Sequence, residues 1–321
     1  MIVSFVRTET KSCTPLFLES AVFGMGKLMH SGFALLLIAL SLAFPSPALS
    51  QRKKTPPPPG RPPLLLRTTT RHELRRFPFG GTVTIVGAPA GSITVEGWSR
   101  SEVDISADIQ LQADTEADLD LLATVNTIVF DEDMNHLRVL TTGTHDKAFM
   151  KAVAKKFPKT LLGLPWKIDY RVRVPLSTDL EINGGNGAIT LTGVEGNIQI
   201  SGAESVANIN ASSGTLSATI AVGKVNLNIP SRSWRGVGAD VRLAAGEVTL
   251  ELPVGFNGDI DAEILRLGEV VDSYGGLESR EKPGITPQVM KVRAGSGGAF
   301  FRFTVGDGKI YIKKQTADSK P

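Results

Sequence analysis

Three carboxylates alternate along one stretch of the chain, at Asp259, Asp261 and Glu263. Alternate side chains of a β-strand point to the same face, so these groups could supply the pair of carboxylates that a polysaccharide lyase or hydrolase needs. Glu247 and Glu251 alternate in the same way within an ordinary strand pattern. Solvated outward faces explain all five groups, and a polysaccharide-processing β-helix enzyme is therefore the alternative function rather than the favoured one.

A second group of oxygen ligands occurs at Asp131, Asp133 and Asn135, which have the 1, 3, 5 spacing of a calcium loop. His136 stands where such a loop has its glycine, and Thr142 stands where it has its acidic ligand. The segment is therefore interpreted as the solvated tip of a hairpin.

Two further motifs are incomplete. His72, His136 and His145 lie far apart, with no second histidine at helical spacing, so they do not predict a zinc site. Ser296 sits among glycines like the serine of a nucleophile elbow, but the first glycine of that motif is missing. The sequence predicts no catalytic residue, no cofactor and no metal site.

Uncharged polar side chains form the remaining candidate site. In the most regular part of the chain, the predicted outward positions carry small hydroxyls and amides, which suit many weak contacts with a glycan or a protein. The predicted binding surface consists of Thr190, Gln199, Asn208, Ser217 and Asn226.

A repeat of nine residues positions these side chains. From Thr178 the windows read TDLEI, GAITL, GNIQI, SVANI, GTLSA and GKVNL. The third and fifth residues are apolar in every window, and this alternation is typical of a half-buried strand. Glycines between the windows permit sharp turns. The predicted inward residues are Leu180, Ile182, Ile189, Leu191, Ile198, Ile200, Ala207, Ile209, Leu216, Ala218, Val225 and Leu227.

The constant spacing favours an all-β fold of the β-solenoid class, in which two nine-residue units make one coil and equivalent residues stack. An antiparallel β-sandwich or meander is the alternative, because Asn186-Gly187 between alternating strands is a strong hairpin signal. High glycine content, 33 residues, and only 6% aromatic residues suit a thin all-β architecture.

The N-terminal region resembles an export signal. Lys27 precedes a run of about a dozen apolar residues, and the small residues Ala48 and Ser50, at the −3 and −1 positions, predict cleavage after Ser50. Residues 1–50 are thus predicted to be a signal peptide, with 1–24 an upstream extension. The only cysteine, Cys13, lies before the cleavage point, so the mature chain would contain no disulfide and no thiolate nucleophile.

Residues 51–76 are predicted to be a proline-rich tether with polyproline character. The stretch from Arg52 to Arg76 holds eight Lys or Arg against one Glu, whereas residues 77–321 hold 24 basic and 29 acidic residues. A basic tether therefore precedes a mildly acidic body. Arg52, Lys53 and Lys54 are predicted to contact an anionic surface.

The domain is predicted to span residues 77–314, with a short helix starting near Asp114 and a hairpin over residues 127–140. Phe149 and Phe157 lie on one stripe of an amphipathic helical insertion over 145–165. An irregular loop is predicted over 265–296, and a disordered tail over 315–321. The basic stripe of the insertion adds three candidate contacts to an anionic surface: Lys147, Lys151 and Lys155.

With its repeated Gly-x-Ile-x-Leu units, the chain resembles the bacterial putative-adhesin β-solenoid family over about residues 80–314. The resemblance also rests on Arg173-Val174-Pro175, Leu252-Pro253, Gly258-Asp259-Ile260-Asp261-Ala262 and Asp307-Gly308-Lys309-Ile310-Tyr311-Ile312. It implies an exported repeat domain without known catalytic residues. The helical insertion and the segment 265–296 depart from the family pattern.

Together these features predict an exported, non-catalytic, adhesin-like or scaffolding protein of the bacterial periplasm, cell surface or extracellular space. The expected partner is a cell-envelope polymer, a glycan or a surface protein, with an anionic membrane surface as a further partner of the basic tether. No nucleic-acid-binding motif is present in the sequence.

Overall fold

The computed structural model describes residues 63–153, 156–282 and 284–315. The described chain is all-β, with its strands joined in one large mixed sheet and only short helices. None of the described helices is long and apolar enough to cross a membrane. Four parts of the predicted organisation lie outside the described residues: the signal peptide (1–50), residues 51–62 of the tether, Lys155, and the tail beyond Gln315.

The elements follow one another with short connections. Besides strands and two α-helices there is a 3-10 helix at Lys159–Leu161. In chain order the others are β1 (Leu65–Arg76), β2 (Thr82–Val86), β3 (Ile93–Trp98), β4 (Glu102–Ala113), α1 (Glu116–Val125), β5 (Thr127–Glu132), β6 (His136–Thr142), α2 (Lys147–Val153), β7 (Trp166–Pro175), β8 (Asp179–Asn183), β9 (Gly187–Thr192), β10 (Asn197–Asn210), β11 (Ser213–Asn228), β12 (Arg235–Leu252), β13 (Gly258–Ile264), β14 (Gly268–Asp272), β15 (Glu278–Ser279), β16 (Val289–Ala294) and β17 (Phe300–Lys314).

Strands of the repeat pair in parallel, 18 residues apart along the chain. β8 places Leu180 beside Ile198 of β10, and β10 places Ile198 beside Leu216 of β11. Each parallel step therefore spans two of the predicted nine-residue windows. β8 and β9 pair with different segments of β10, so Asn186-Gly187 does not form the antiparallel hairpin that its sequence predicts.

Four long strands, β10, β11, β12 and β17, each contribute one segment to each of two rows of strands. The Gln199 face comprises their first segments together with β5, β6, β2, β8, β13, β16 and β15. The Asn208 face comprises their second segments together with β1, β4, β7, β3, β9 and β14.

The apolar core is built from alternate residues of these strands. All twelve residues predicted to point inward are buried, each with no more than 2% of its surface exposed. Burial of alternate side chains is what the period of a half-buried strand requires. The sequence prediction of the inward positions is therefore confirmed.

The predicted extent of the tether is wrong. Residues 65–76 are not polyproline but strand β1, which pairs antiparallel with β4 along its whole length. Threonine-rich sequence favours an extended strand, and Arg67 fixes β1 to α1 through ion pairs with Glu116 (2.5 Å) and Asp120 (2.6 Å). The domain therefore begins before Phe77.

The helical insertion is shorter than predicted. α2 ends at Val153, well before residue 165, and the 3-10 helix follows Pro158. Proline disfavours the helical conformation at the residue before it, so Pro158 opposes one continuous helix over 145–165. Phe157 still packs against the core, as the apolar stripe predicts.

The segment 265–296 is also more regular than predicted, because it contains β14, β15 and β16. Short alternations bury Val270, Met290 and Val292. Gln315, predicted to begin the disordered tail, is held by the domain: its side-chain amide donates to the Asn228 side chain (2.6 Å) and the carbonyl oxygen of Ile229 (2.8 Å).

Two local predictions are confirmed. Helix α1 begins where the acidic segment predicts a helix, and the hydroxyl of Thr115 caps it by accepting from the backbone N–H of Asp118 (3.1 Å). Its apolar side buries Leu119 and Leu122. β5 and β6 form the predicted antiparallel hairpin.

Candidate functional site

The predicted binding surface is divided between the two faces. Gln199 and Ser217 are register partners on the Gln199 face. Thr190, Asn208 and Asn226 are register partners on the Asn208 face. The 18-residue offset assigns alternate nine-residue windows to alternate faces, so the five residues form two separate rows instead of one surface.

On the Asn208 face the row is uncharged, and two of its side chains hydrogen-bond each other. The side-chain amide of Asn226 donates to the side-chain oxygen of Asn208 over 2.8 Å. Thr94 precedes this row and Thr249 continues it. Amides that bond to each other have fewer groups left for a ligand.

On the Gln199 face two neighbouring rows of outward side chains enclose a trough. Two neighbouring depressions, of about 340 and 310 Å³, share Thr215 and Ser217 in their linings, and together they are called the trough. The first row is Thr82, Asp179, Asn197, Thr215, Gly238 and Phe300. The second row is Thr84, Glu181, Gln199, Ser217, Asp240 and Arg302.

Charged groups stand at both ends of the trough. Asp179 accepts from the backbone N–H of Asn197 (2.8 Å), and Glu181 accepts from the hydroxyl of Thr84 (2.9 Å). At the other end the exposed guanidinium of Arg302 lies over the Phe300 ring, 5.4 Å from its centroid. The middle of the trough is uncharged.

Two of the three alternating carboxylates of β13 are bound to arginines. Asp259 accepts from Nε of Arg293 (2.8 Å), and Asp261 is paired with Arg280. The hydrogen bond from Arg293 outweighs burial and holds the pKa of Asp259 below its ordinary value. A carboxylate that stays ionised in an ion pair cannot act as a general acid near neutral pH.

The residues of the candidate calcium loop and Ser296 also bond to neighbouring side chains. One guanidinium, that of Arg138, bonds Asp131 (2.8 Å) and Asp133 (3.2 Å) of the candidate calcium loop. Ser296 donates to the side-chain oxygen of Asn257 (3.1 Å). Throughout the part of the chain that the structure describes, no three His, Cys, Asp or Glu side chains are placed to hold a metal ion.

The three histidines lie in different places. His72 bonds Asp104 (2.6 Å), His136 bonds Thr84 (2.7 Å), and His145 lies against the indole ring of a tryptophan. They are not brought together.

Sequence reasoning missed the buried carboxylate of Asp104. It binds His72 of β1 and Arg173 of β7 at once, below a depression of about 380 Å³ that Glu96 and Arg171 also line. Burial alone would raise the pKa of Asp104, but the hydrogen bonds from Arg173 and His72 outweigh it and the pKa is lowered. The sequence signal that could have indicated this buried carboxylate is an aspartate between the apolar residues of β4.

Only two of the residues predicted to contact an anionic surface lie in the part of the chain that the structure describes. Lys147 and Lys151 are exposed on α2. Lys155, Arg52, Lys53 and Lys54 lie outside the described residues.

No family model matches the chain, and no curated protein matches its sequence. Among solved structures, it is similar to a putative cell adhesion protein from Clostridium sporogenes ATCC 15579, with 12% identity, a TM-score of 0.42, and coverage of 78% of this chain and 100% of that one. A putative adhesin from Bacteroides fragilis NCTC 9343 gives 12% identity, a TM-score of 0.34, and coverage of 78% and 97%. These likenesses are too distant to decide function.

Proposed function

We propose that this protein is an exported, non-catalytic, adhesin-like or scaffolding β-solenoid that acts in the bacterial cell envelope or at the cell surface. It attaches to an envelope polymer, a glycan or a surface protein through many weak polar contacts along its strands. The observation that carries the proposal is the parallel register, which aligns equivalent outward side chains of β8, β10 and β11 in rows.

The register supports a solenoid because in-register parallel pairing at a constant 18-residue offset is how stacked coils place equivalent residues above one another. The rows support attachment because they present hydroxyls and amides at regular spacing. The engagement of Asp259 and Asp261 by arginines supports a role without catalysis.

The basic tether adds a second, less specific attraction. Arg52, Lys53 and Lys54 favour anionic lipid or polymer, and such attraction weakens as salt rises. We assign the tether to accumulation near the envelope and the domain to attachment.

Pull-down on cell-wall sacculi, membrane vesicles and immobilised glycans separates these two roles. The complete chain is compared with a variant in which Arg52, Lys53 and Lys54 are replaced by Gln. The variant is expected to keep binding but to lose part of its salt dependence. If neutralising the tether abolishes all binding, attachment through the domain is contradicted. Lys159→Gln, Arg232→Gln and Lys282→Gln together are the matched control, because they remove three exposed positive charges that are not among the predicted contacts.

Export has its own test. Protein recovered outside the cytoplasm is expected to begin at Gln51, and N-terminal sequencing measures this directly. An N-terminus at Met1 or Met25 would contradict cleavage.

The enzymatic alternative is tested with a panel of polysaccharides. No turnover is expected from the purified chain. Turnover that disappears in Asp259→Asn or Asp261→Asn would replace the attachment function by catalysis.

A further inference from the structure

The middle of the trough on the Gln199 face is lined by accessible polar side chains. Among contacts within the described chain, the side chains of Asn197, Gln199, Thr215 and Ser217 make no hydrogen bond, whereas Asn208 and Asn226 bond each other. Each of the four trough residues is exposed or half-exposed. Their amides and hydroxyls both donate and accept, as the hydroxyls of a sugar do.

The direction of the trough suits a polymer. It crosses the strands β2, β8, β10, β11, β12 and β17 side by side. Adjacent strands lie about 4.8 Å apart, so the trough is roughly 24 Å long. A hexose unit of an extended polysaccharide is about as long as the spacing between adjacent strands. A polysaccharide chain lying across the strands would therefore meet a new pair of polar side chains at each sugar unit.

At β12 the first row contains a buried glycine. Gly238 carries no side chain where its register partners carry Thr215 and Phe300. Beyond it, Arg280 and Arg302 both lie over the Phe300 ring, 5.5 and 5.4 Å from its centroid. The ring thus holds the exposed Arg302 guanidinium at the end of the trough, where its N–H groups are available to sugar oxygens.

The charges favour one class of polymer. Asp179 and Glu181, at the β8 end, accept only from uncharged groups among the described residues, so their negative charges are not neutralised by direct ion pairs. A polyanion lying along the trough would be repelled there. An uncharged chain can donate its hydroxyls to these carboxylates and accept from Arg302 at the opposite end.

We infer that this trough binds an uncharged polysaccharide chain that lies across the strands. The inference rests on the proposed attachment function and gives it a ligand class and a face.

Affinity gel electrophoresis of the complete chain tests the inference, with hydroxyethylcellulose, dextran and galactomannan as uncharged polymers and polygalacturonate as the anionic one. Ser217→Ile fills the middle of the trough, and Asn226→Ile is its matched control, since both residues are half-buried outward positions of β11. Isoleucine is favoured in strands, so both variants are expected to fold, and equal melting temperatures verify this.

At least one uncharged polymer is expected to retard the chain, with affinity reduced tenfold or more by Ser217→Ile and less than twofold by Asn226→Ile. Retardation lost only in Asn226→Ile would overturn the trough while leaving attachment intact. Retardation by polygalacturonate alone would overturn the ligand class. If no polymer retards the chain, the trough inference fails, and the sacculus and vesicle pull-down then decides independently whether attachment fails with it.

Discussion

Adjacent residues of one strand lie in opposite environments, one in the core and the next in solvent. In β10, Ile198 is 2% exposed within the core, whereas its neighbour Gln199 is exposed on the trough. The alternation of the sequence predicts both positions, because side chains of a strand point to opposite faces in turn. Which other side chains share a surface with Gln199, in contrast, depends on which strands pair with β10.

The pair Ile198→Asp and Gln199→Asp tests this alternation. The first variant places a carboxylate in the core without a partner and is expected to cost about 3 kcal/mol or more of unfolding free energy. The second leaves its carboxylate in solvent and is expected to cost about 0.5 kcal/mol or less. Equal melting temperatures for the two variants would refute the assigned register.

Asp104 is a residue whose role no local pattern predicts. Its partners His72 and Arg173 come from strands before and after β4, and they meet only because β4 lies between β1 and β7. The pKa of Asp104 in the folded chain is lowered. The carboxylate therefore stabilises the fold above its unfolded pKa of about 3.9, and this contribution is lost as the pH falls through the folded pKa.

Asp104→Asn is accordingly expected to cost about 2 kcal/mol at pH 7, because the variant loses the charge that Arg173 and His72 bind. The difference from the unsubstituted chain should shrink as the pH falls below about 4. Urea unfolding of both proteins between pH 7 and pH 2.5 measures it. A difference that stays constant over this range would exclude the carboxylate as its source.

At the scale of elements, the sequence predicts strands better than it predicts their limits. The windows from Thr178 onward mark β8 to β11 because apolar residues alternate there without interruption. The basic, threonine-rich residues 65–76 carry no apolar alternation that would mark β1, and β2 and β3 separate them from their partner β4. The prediction of the insertion is too long because Phe157 continues the apolar stripe beyond Val153, where α2 ends.

Glycines at one edge of the Asn208 face fix how closely these elements stack. Gly223, Gly246 and Gly308 are register partners with positive φ angles of 141°, 137° and 147°. A Cβ atom on Gly246 would lie 1.9 Å from the carbonyl oxygen of Gly223. No other residue type fits there without displacing a neighbouring strand.

Gly246→Ala is therefore expected to cost about 2 kcal/mol or more. Gly163→Ala is the control, because a Cβ atom there meets nothing within 4 Å, and it should change stability by about 0.5 kcal/mol or less. Thermal unfolding of the two variants gives the comparison. A tolerated Gly246→Ala would show that the strands are not this closely stacked.

At the scale of the whole molecule, the candidate site is assembled from distant parts of the chain. Gln199 and Ser217 were predicted because they lie in the regular repeat. Asp240 and Arg302 complete their row but come from β12 and β17, where the nine-residue spacing is lost. Asp240 and Arg302 reach this row because β12 and β17 pair in parallel with each other and β12 pairs with β11. No local sequence pattern predicts these pairings, because long connections separate the strands.

The central claim is that units of 18 residues stack in parallel, with alternate nine-residue windows on opposite faces. Paired cysteines test it most directly, in a chain with Cys13→Ser. Gln199→Cys with Ser217→Cys places two cysteines at register partners of adjacent strands. The spacing of such strands, about 4.8 Å, lies within the Cα–Cα range of a disulfide. Asn208→Cys with Ser217→Cys places the two cysteines on opposite faces. Mass spectrometry after mild oxidation is expected to show an intramolecular disulfide in the first variant and free thiols in the second; a disulfide only in the second would contradict the stacked arrangement.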